Sequence, residues 1–136
     1  INNLKSTNVK NVLTDLKTFL RKEADLHFKK EEAALFPEME KFIPRDEGPI
    51  GQMLLEHEDL YKYEDNFIRG VDLFSKDENN GEAQKLIREN GNSFINLLRE
   101  HIYKEDNMLF MMADMHLEED QINAIMKKFE ELDKAQ

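Results

Sequence analysis

The chain contains no cysteine. Disulfides, a thiolate nucleophile, zinc–cysteine sites and cysteine-held iron–sulfur clusters are therefore excluded. Glycine and proline are scarce, 5 and 3 among 136 residues. Such scarcity argues against glycine-rich phosphate loops and turn-dense β architectures. Cations are the minority charge: 19 Lys and Arg against 29 Asp and Glu, a net charge of −10. Nucleic acid and anionic membrane surfaces both call for clustered Lys and Arg, so neither is an expected partner. No apolar run approaches the roughly 20 residues of a membrane span, and no signal segment is visible. With cysteine also absent, a cytoplasmic location is expected.

What is present suffices for one domain, expected to occupy residues 1–136. The 40% hydrophobic content can build a core. A chain of this size buries roughly 68% of the surface it would expose unfolded. Apolar residues recur at steps of three and four in Val9, Leu13, Leu16, Leu20, Ala24 and Leu35, which predicts a helix over 7–40. Pro37 is expected to kink or end it. The stretch from Ile43 to Pro49 reads as a connection, with Pro49 suited to the first turn of a helix over 49–74. A polar loop from Ser75 to Gly81 comes next. Further helices are predicted over 82–112, with Gly91 inside, and over 118–132, whose anionic start complements the helix dipole. Nothing reads as a strand. The fold class is all-α, an up-down antiparallel helical bundle.

The core stripes of the three long helices stop being apolar at equivalent places. The first passes from Leu20 and Ala24 to His27 and Glu31, then Leu35. The second passes from Ile50 and Leu54 to His57, Tyr61 and Glu64, then Ile68 and Val71. The third passes from Phe94 and Leu98 to His101 and Glu105, then Met108 and Met112. Each long helix thus carries an inward His, and two add a Glu one turn later. Residues four apart share a helix face, so each His-Glu pair can reach one point in the interior. Two carboxylates and three imidazoles converging in an apolar bundle call for a cation. Mixed imidazole and carboxylate ligands suit iron, manganese or zinc, and carboxylates that can bridge favour two metals. Ferritin-like di-iron proteins use Glu-x-x-His, with Glu first and a spacing of three. Here His comes first and the spacing is four.

These segments resemble the hemerythrin-like, or HHE cation-binding, family. The resemblance is carried by His27-Phe28-Lys29-Lys30-Glu31 running on to Pro37, by Gly48-Pro49-Ile50 running on to Glu56-His57-Glu58, and by His101-Ile102-Tyr103-Lys104-Glu105 running on to Phe110. It covers nearly the whole chain in the family's order. It implies a hemerythrin-like four-helix bundle around a non-haem di-iron centre. By the same resemblance His27, His57 and His101 are terminal nitrogen ligands, and Glu31 and Glu105 bridge the two metals. Two irons per chain are implied, or one if the site is incomplete. Family members bind oxygen reversibly, sense oxygen or iron, or handle nitric oxide and damaged iron centres.

Two departures from the family pattern stand out. The family's first helix carries a ligand of its own in a Glu-His pair, and this chain has no His before His27. The first family helix is therefore expected to be missing or truncated. One metal would then lack a ligand, and an apolar groove would open for the short last helix or a second chain. Tyr61 is the other departure, since oxygen carriers have a second His there. It either packs with its hydroxyl satisfied, donates to a bound ligand, or coordinates iron(III) as a phenolate; Glu64 is a second candidate facing the metals.

Three functions emerge as expectations. One is a di-iron module that binds or senses oxygen, another diatomic gas such as nitric oxide, or iron itself. Another is a di-iron redox enzyme that acts on peroxide or nitric oxide or delivers iron. The third is a metal-free helical interaction domain. A homodimer is the expected assembly if a second chain fills the groove. Outside the motifs, His116 reads as a loop residue. Glu32, Glu56, Glu58 and Asp106 read as a mostly solvated face, one or two of them able to accept the outer ring N–H of a ligating His. Met108, Met111, Met112 and Met115 read as core filling. Lys29 and Lys30 read as reaching out to water.

Overall fold

Apolar residues at helical spacing, punctuated by few breakers, fold into four helices among the described residues, 7–44 and 48–135 of this computed structural model. Helix α1 spans 7–39, α2 is Pro49–Lys76, α3 spans 81–116 and α4 is Glu119–Lys134. No strand occurs among the described residues. Pro49 opens α2 behind an extended Gly48. Asn80 caps α3, its side chain accepting the Ala83 N–H at 3.1 Å. Glu118 and Gln121 form a reciprocal capping box at the start of α4. Arg45, Asp46 and Glu47 of the predicted connection lie outside the described residues, as do residues 1–6.

Among the described residues three π-helical turns interrupt the α-helical winding: Leu20–Ala24 and Glu31–Leu35 in α1, and Glu105–Leu109 in α3. Each adds a residue to a turn and rotates the rest of the helix about its axis. In α3 this moves the buried positions from Met108 and Met112 to Leu109 and Ala113. In α1 the turn Glu31–Leu35 lies just ahead of Pro37, which has no N–H to donate, and the helix continues through it to Met39 instead of ending.

α2 packs along both α1 and α3, and α4 docks on the second half of α1. Gly70 and Gly91 let α2 and α3 approach. A Cβ on Gly70 would meet Leu86 Cβ at 2.9 Å and the Ala83 carbonyl oxygen at 3.1 Å, and one on Gly91 would touch the Phe67 ring at 3.4 Å. Leu13, Phe67, Ile68, Val71, Phe74 and Ile87 fill one end of the core. Phe36, Met39, Ile50, Met53, Leu109 and Ile125 fill the other. Phe28, Leu60 and Phe94 lie in a separate buried cluster.

Several expectations need correction. α3 runs on to His116, so that residue ends a helix, its ring stacked on Phe42 at 5.0 Å. Met108, Met111 and Met115 are exposed and fill no core; Met112 alone of the four packs against it. Leu16, expected inward, is 38% exposed. Lys30 pairs with Asp133 of α4 at 2.7 Å and sits over the Phe129 ring, so it joins helices as well as meeting water.

Candidate metal centre

The polar interruptions of the three stripes meet inside the bundle. Glu31 from α1, His57 from α2 and His101 and Glu105 from α3 are all buried, and each offers a ligand atom within 4.8 Å of the others. His57 Nε2 lies 3.0 Å from Glu31 Oε1 and 3.2 Å from His101 Nε2. His101 Nε2 lies 2.5 Å from Glu105 Oε1 and 3.8 Å from Glu31 Oε1. His27 stands at the edge, half-exposed, with its Nε2 3.6 Å from both Glu31 Oε2 and Glu105 Oε2. The structure therefore brings all five sequence-predicted residues together. Each of the two carboxylates turns one oxygen toward the His57 and His101 side and the other toward His27.

The outer nitrogens explain the orientation. His57 Nδ1 lies 2.5 Å from Glu32 Oε2, and His101 Nδ1 lies 2.9 Å from Glu56 Oε1. A carboxylate only accepts, so both Nδ1 groups donate and both Nε2 atoms turn inward, as acceptors while the rings are neutral. Glu56 is itself held by Lys104 at 2.5 Å and Gln52 at 2.8 Å. Phe28 closes the site from one side, its ring 4.7 Å from the His57 ring and 6.3 Å from that of His101. Phe36 stacks against His57 at 5.8 Å.

Such a centre consists of acceptors facing one another. Glu31 Oε2 is buried without a hydrogen-bond partner, and Glu105 Oε1 faces the His101 Nε2 alone. Protons or cations must balance them. In the metal-free chain a proton does so. Burial would push His101 down, but Glu105, Glu31 and Glu56 together raise it to about 10. The contact with Glu105 also raises His27, against burial. Burial favours the neutral acid at Glu105, yet its contacts with His101, His27 and Glu31 hold it well below the usual carboxylate range. Imidazole and carboxylate donors with an orienting carboxylate behind each buried imidazole match what a divalent transition metal requires.

The two further candidates sit outside this group. The Tyr61 hydroxyl donates to Glu32 Oε2 at 3.3 Å, and its ring stands edge-on to Phe28. Burial and the nearby carboxylates push that phenol up. Tyr61 thus touches the carboxylate that steers His57. Glu64 is fully buried and takes a hydrogen bond from Arg21 at 2.9 Å. Burial and Asp25 raise it to about 8, and its Oε1 and Asp25 Oδ1 have no hydrogen-bond partner. Of the flanking acids, Glu58 and Asp106 are exposed, while Glu32 and Glu56 carry the buried imidazoles. A cavity of about 380 Å³ between α1 and α3, walled by Phe19, Leu98, Ile102 and Phe110, reaches His27 and Glu105.

The family model of the hemerythrin HHE cation binding domain matches residues 2–113. No curated protein and no solved structure matches the chain. That match covers α1, α2, α3 as far as Ala113 and every residue of the imidazole–carboxylate cluster, and the chain belongs to the hemerythrin HHE cation-binding domain family.

Proposed function

We propose that the chain is a non-haem di-iron module that binds or senses oxygen, another diatomic gas such as nitric oxide, or iron. Its ligands in this reading are His27, Glu31, His57, His101 and Glu105, with Glu31 and Glu105 shared between two ions. The observation that carries it is the division of the two carboxylates. Glu31 offers one oxygen beside His57 and His101, Glu105 offers one beside His101, and each turns its other oxygen toward His27. In this reading the two buried imidazoles would serve one ion and the half-exposed one the other. Iron, when bound, supplies redox chemistry and open coordination positions; manganese and zinc suit the same donors. The chain's own contribution is orientation by Glu32 and Glu56, a wall of Phe28 and Phe36 that limits water, and a cavity leading to His27.

Ligand variants test this reading through metal content. His27→Ala should retain one ion per chain, because its partners on the other side are intact. His101→Ala should lose most of both, since His101 is fully buried at the centre of the cluster. Two ions retained by His101→Ala would refute the assignment.

A second reading, a redox enzyme acting on peroxide or nitric oxide or delivering iron, is favoured by the cavity that meets the half-exposed His27. Catalytic turnover of peroxide or nitric oxide by the iron-loaded chain separates it from a reversible binder. The interaction-domain reading fits poorly with buried carboxylate oxygens that lack partners. Val12, Leu16, Phe19 and Ile95, exposed on α1 and α3, support a homodimer, which sedimentation would detect. We place the domain in the cytoplasm on composition; no helix among the described residues is long and apolar enough to cross a membrane.

A further inference from the structure

Four of the chain's seven methionines fall within the eight residues 108–115. Core filling would explain them if they were buried, but Met108 is 53%, Met111 58% and Met115 76% exposed. The π turn Glu105–Leu109 is the cause, because it hands the inward positions to Leu109 and Ala113 and leaves the thioethers outside. Met111 and Met115 are four apart in the regular segment Phe110–His116, and Met108 is three residues before Met111. Residues three and four apart are neighbours on a helix surface, with Cβ atoms roughly 5–6 Å apart. Unbranched thioethers with three rotatable bonds can close that gap onto one ion.

We propose that Met108, Met111 and Met115 form an external binding site for a soft monovalent cation, copper(I) or silver(I). Thioether sulfur selects such ions over the harder divalent metals that suit imidazole and carboxylate. In a chain without cysteine these sulfurs are the softest donors present. Three of them on one exposed face match the low coordination number that d10 monovalent ions accept. His116 is not part of the set, since its ring lies on Phe42. Exposed Asp106, Asp114 and Glu118 flank the stripe, and with the net charge of −10 they raise the local cation concentration. The site is separate from the buried cluster: the same helix turns Glu105 inward and Met108 outward.

The test uses the whole chain labelled with carbon-13 at the methionine methyls and titrated with silver(I), which is redox-stable. The methyl signals of Met108, Met111 and Met115 should shift together and saturate at one equivalent. Those of buried Met39 and Met53 should stay in place. Under anaerobic conditions copper(I) should bind in competition with a chromophoric chelator. The triple variant M108L/M111L/M115L should weaken that binding about tenfold or more. Leucine keeps the volume and the helix, and an unchanged circular dichroism spectrum verifies it. Three outcomes each overturn the proposal: no shift in these methyls, shifts confined to Met39 and Met53, or a triple variant that binds copper(I) as tightly as the parent.

Discussion

His57 and His101 each have one ring nitrogen fixed by a carboxylate and the other turned into the cluster. Removing that outer charge should matter while the fold stands. Glu32→Gln or Glu56→Gln should weaken metal affinity by about 10–100-fold, measured by competition with a chelator. Glu56→Gln also frees Lys104, so it should have the larger effect. Glu64 makes a different prediction. Its acid is raised from 4.5 to about 8 by burial and by Asp25. A group raised in the folded state contributes stability that is complete below its unfolded pKa and is lost as pH rises through the folded one. The parent should therefore lose stability across the window from about pH 4.5 to pH 8. Glu64→Gln, which cannot ionise, should flatten that loss, and urea midpoints across the window check it. His27, His57, His101, Glu31 and Glu105 were legible as candidates because all five break apolar stripes at helical spacing. Glu32 and Glu56 were legible only as neighbours of ligands. Their partners lie on other helices, and spacing within one helix carries no information about that.

At the scale of elements, the π turns decide which side chains face in. Two of the three begin at Glu31 and Glu105, the two carboxylates of the cluster. A hydrophobic stripe counted at 3.6 residues per turn has no signal for an added residue, which is why periodicity places Met108 inside while Leu109 takes that position in the structure. Pro37 misleads in the same way: read alone it ends a helix, but a π turn ahead of it lets the helix continue. The four helices themselves were legible from periodicity and caps, with ends displaced by up to four residues. α2 and α3 approach closely at Gly70 and Gly91. Gly70→Ala would bring a Cβ to 2.9 Å from Leu86 Cβ and 3.1 Å from a backbone oxygen. It should destabilise the chain by about 1–3 kcal/mol in urea unfolding, although alanine is the better helix former.

For the molecule as a whole, metal and fold are linked. The buried cluster is balanced by protons when no metal is bound, with His101 raised to about 10. A metal must displace that proton, so apparent affinity should rise with pH through the neutral range and fall in acid. A metal at 100 times its Kd should add about 2.7 kcal/mol of stability, and chelation should remove it, lowering Tm. A domain held together only by its apolar clusters would melt at the same temperature with and without chelator. In the proposed function, five residues from three helices hold a pair of irons. Metal content with an absorption spectrum, on protein prepared with and without oxygen, tests it most directly. About two irons per chain are expected, as two-metal sites require, with charge-transfer bands that change with oxygen. Protein prepared with iron in excess that holds no metal and shows no such bands would rule it out.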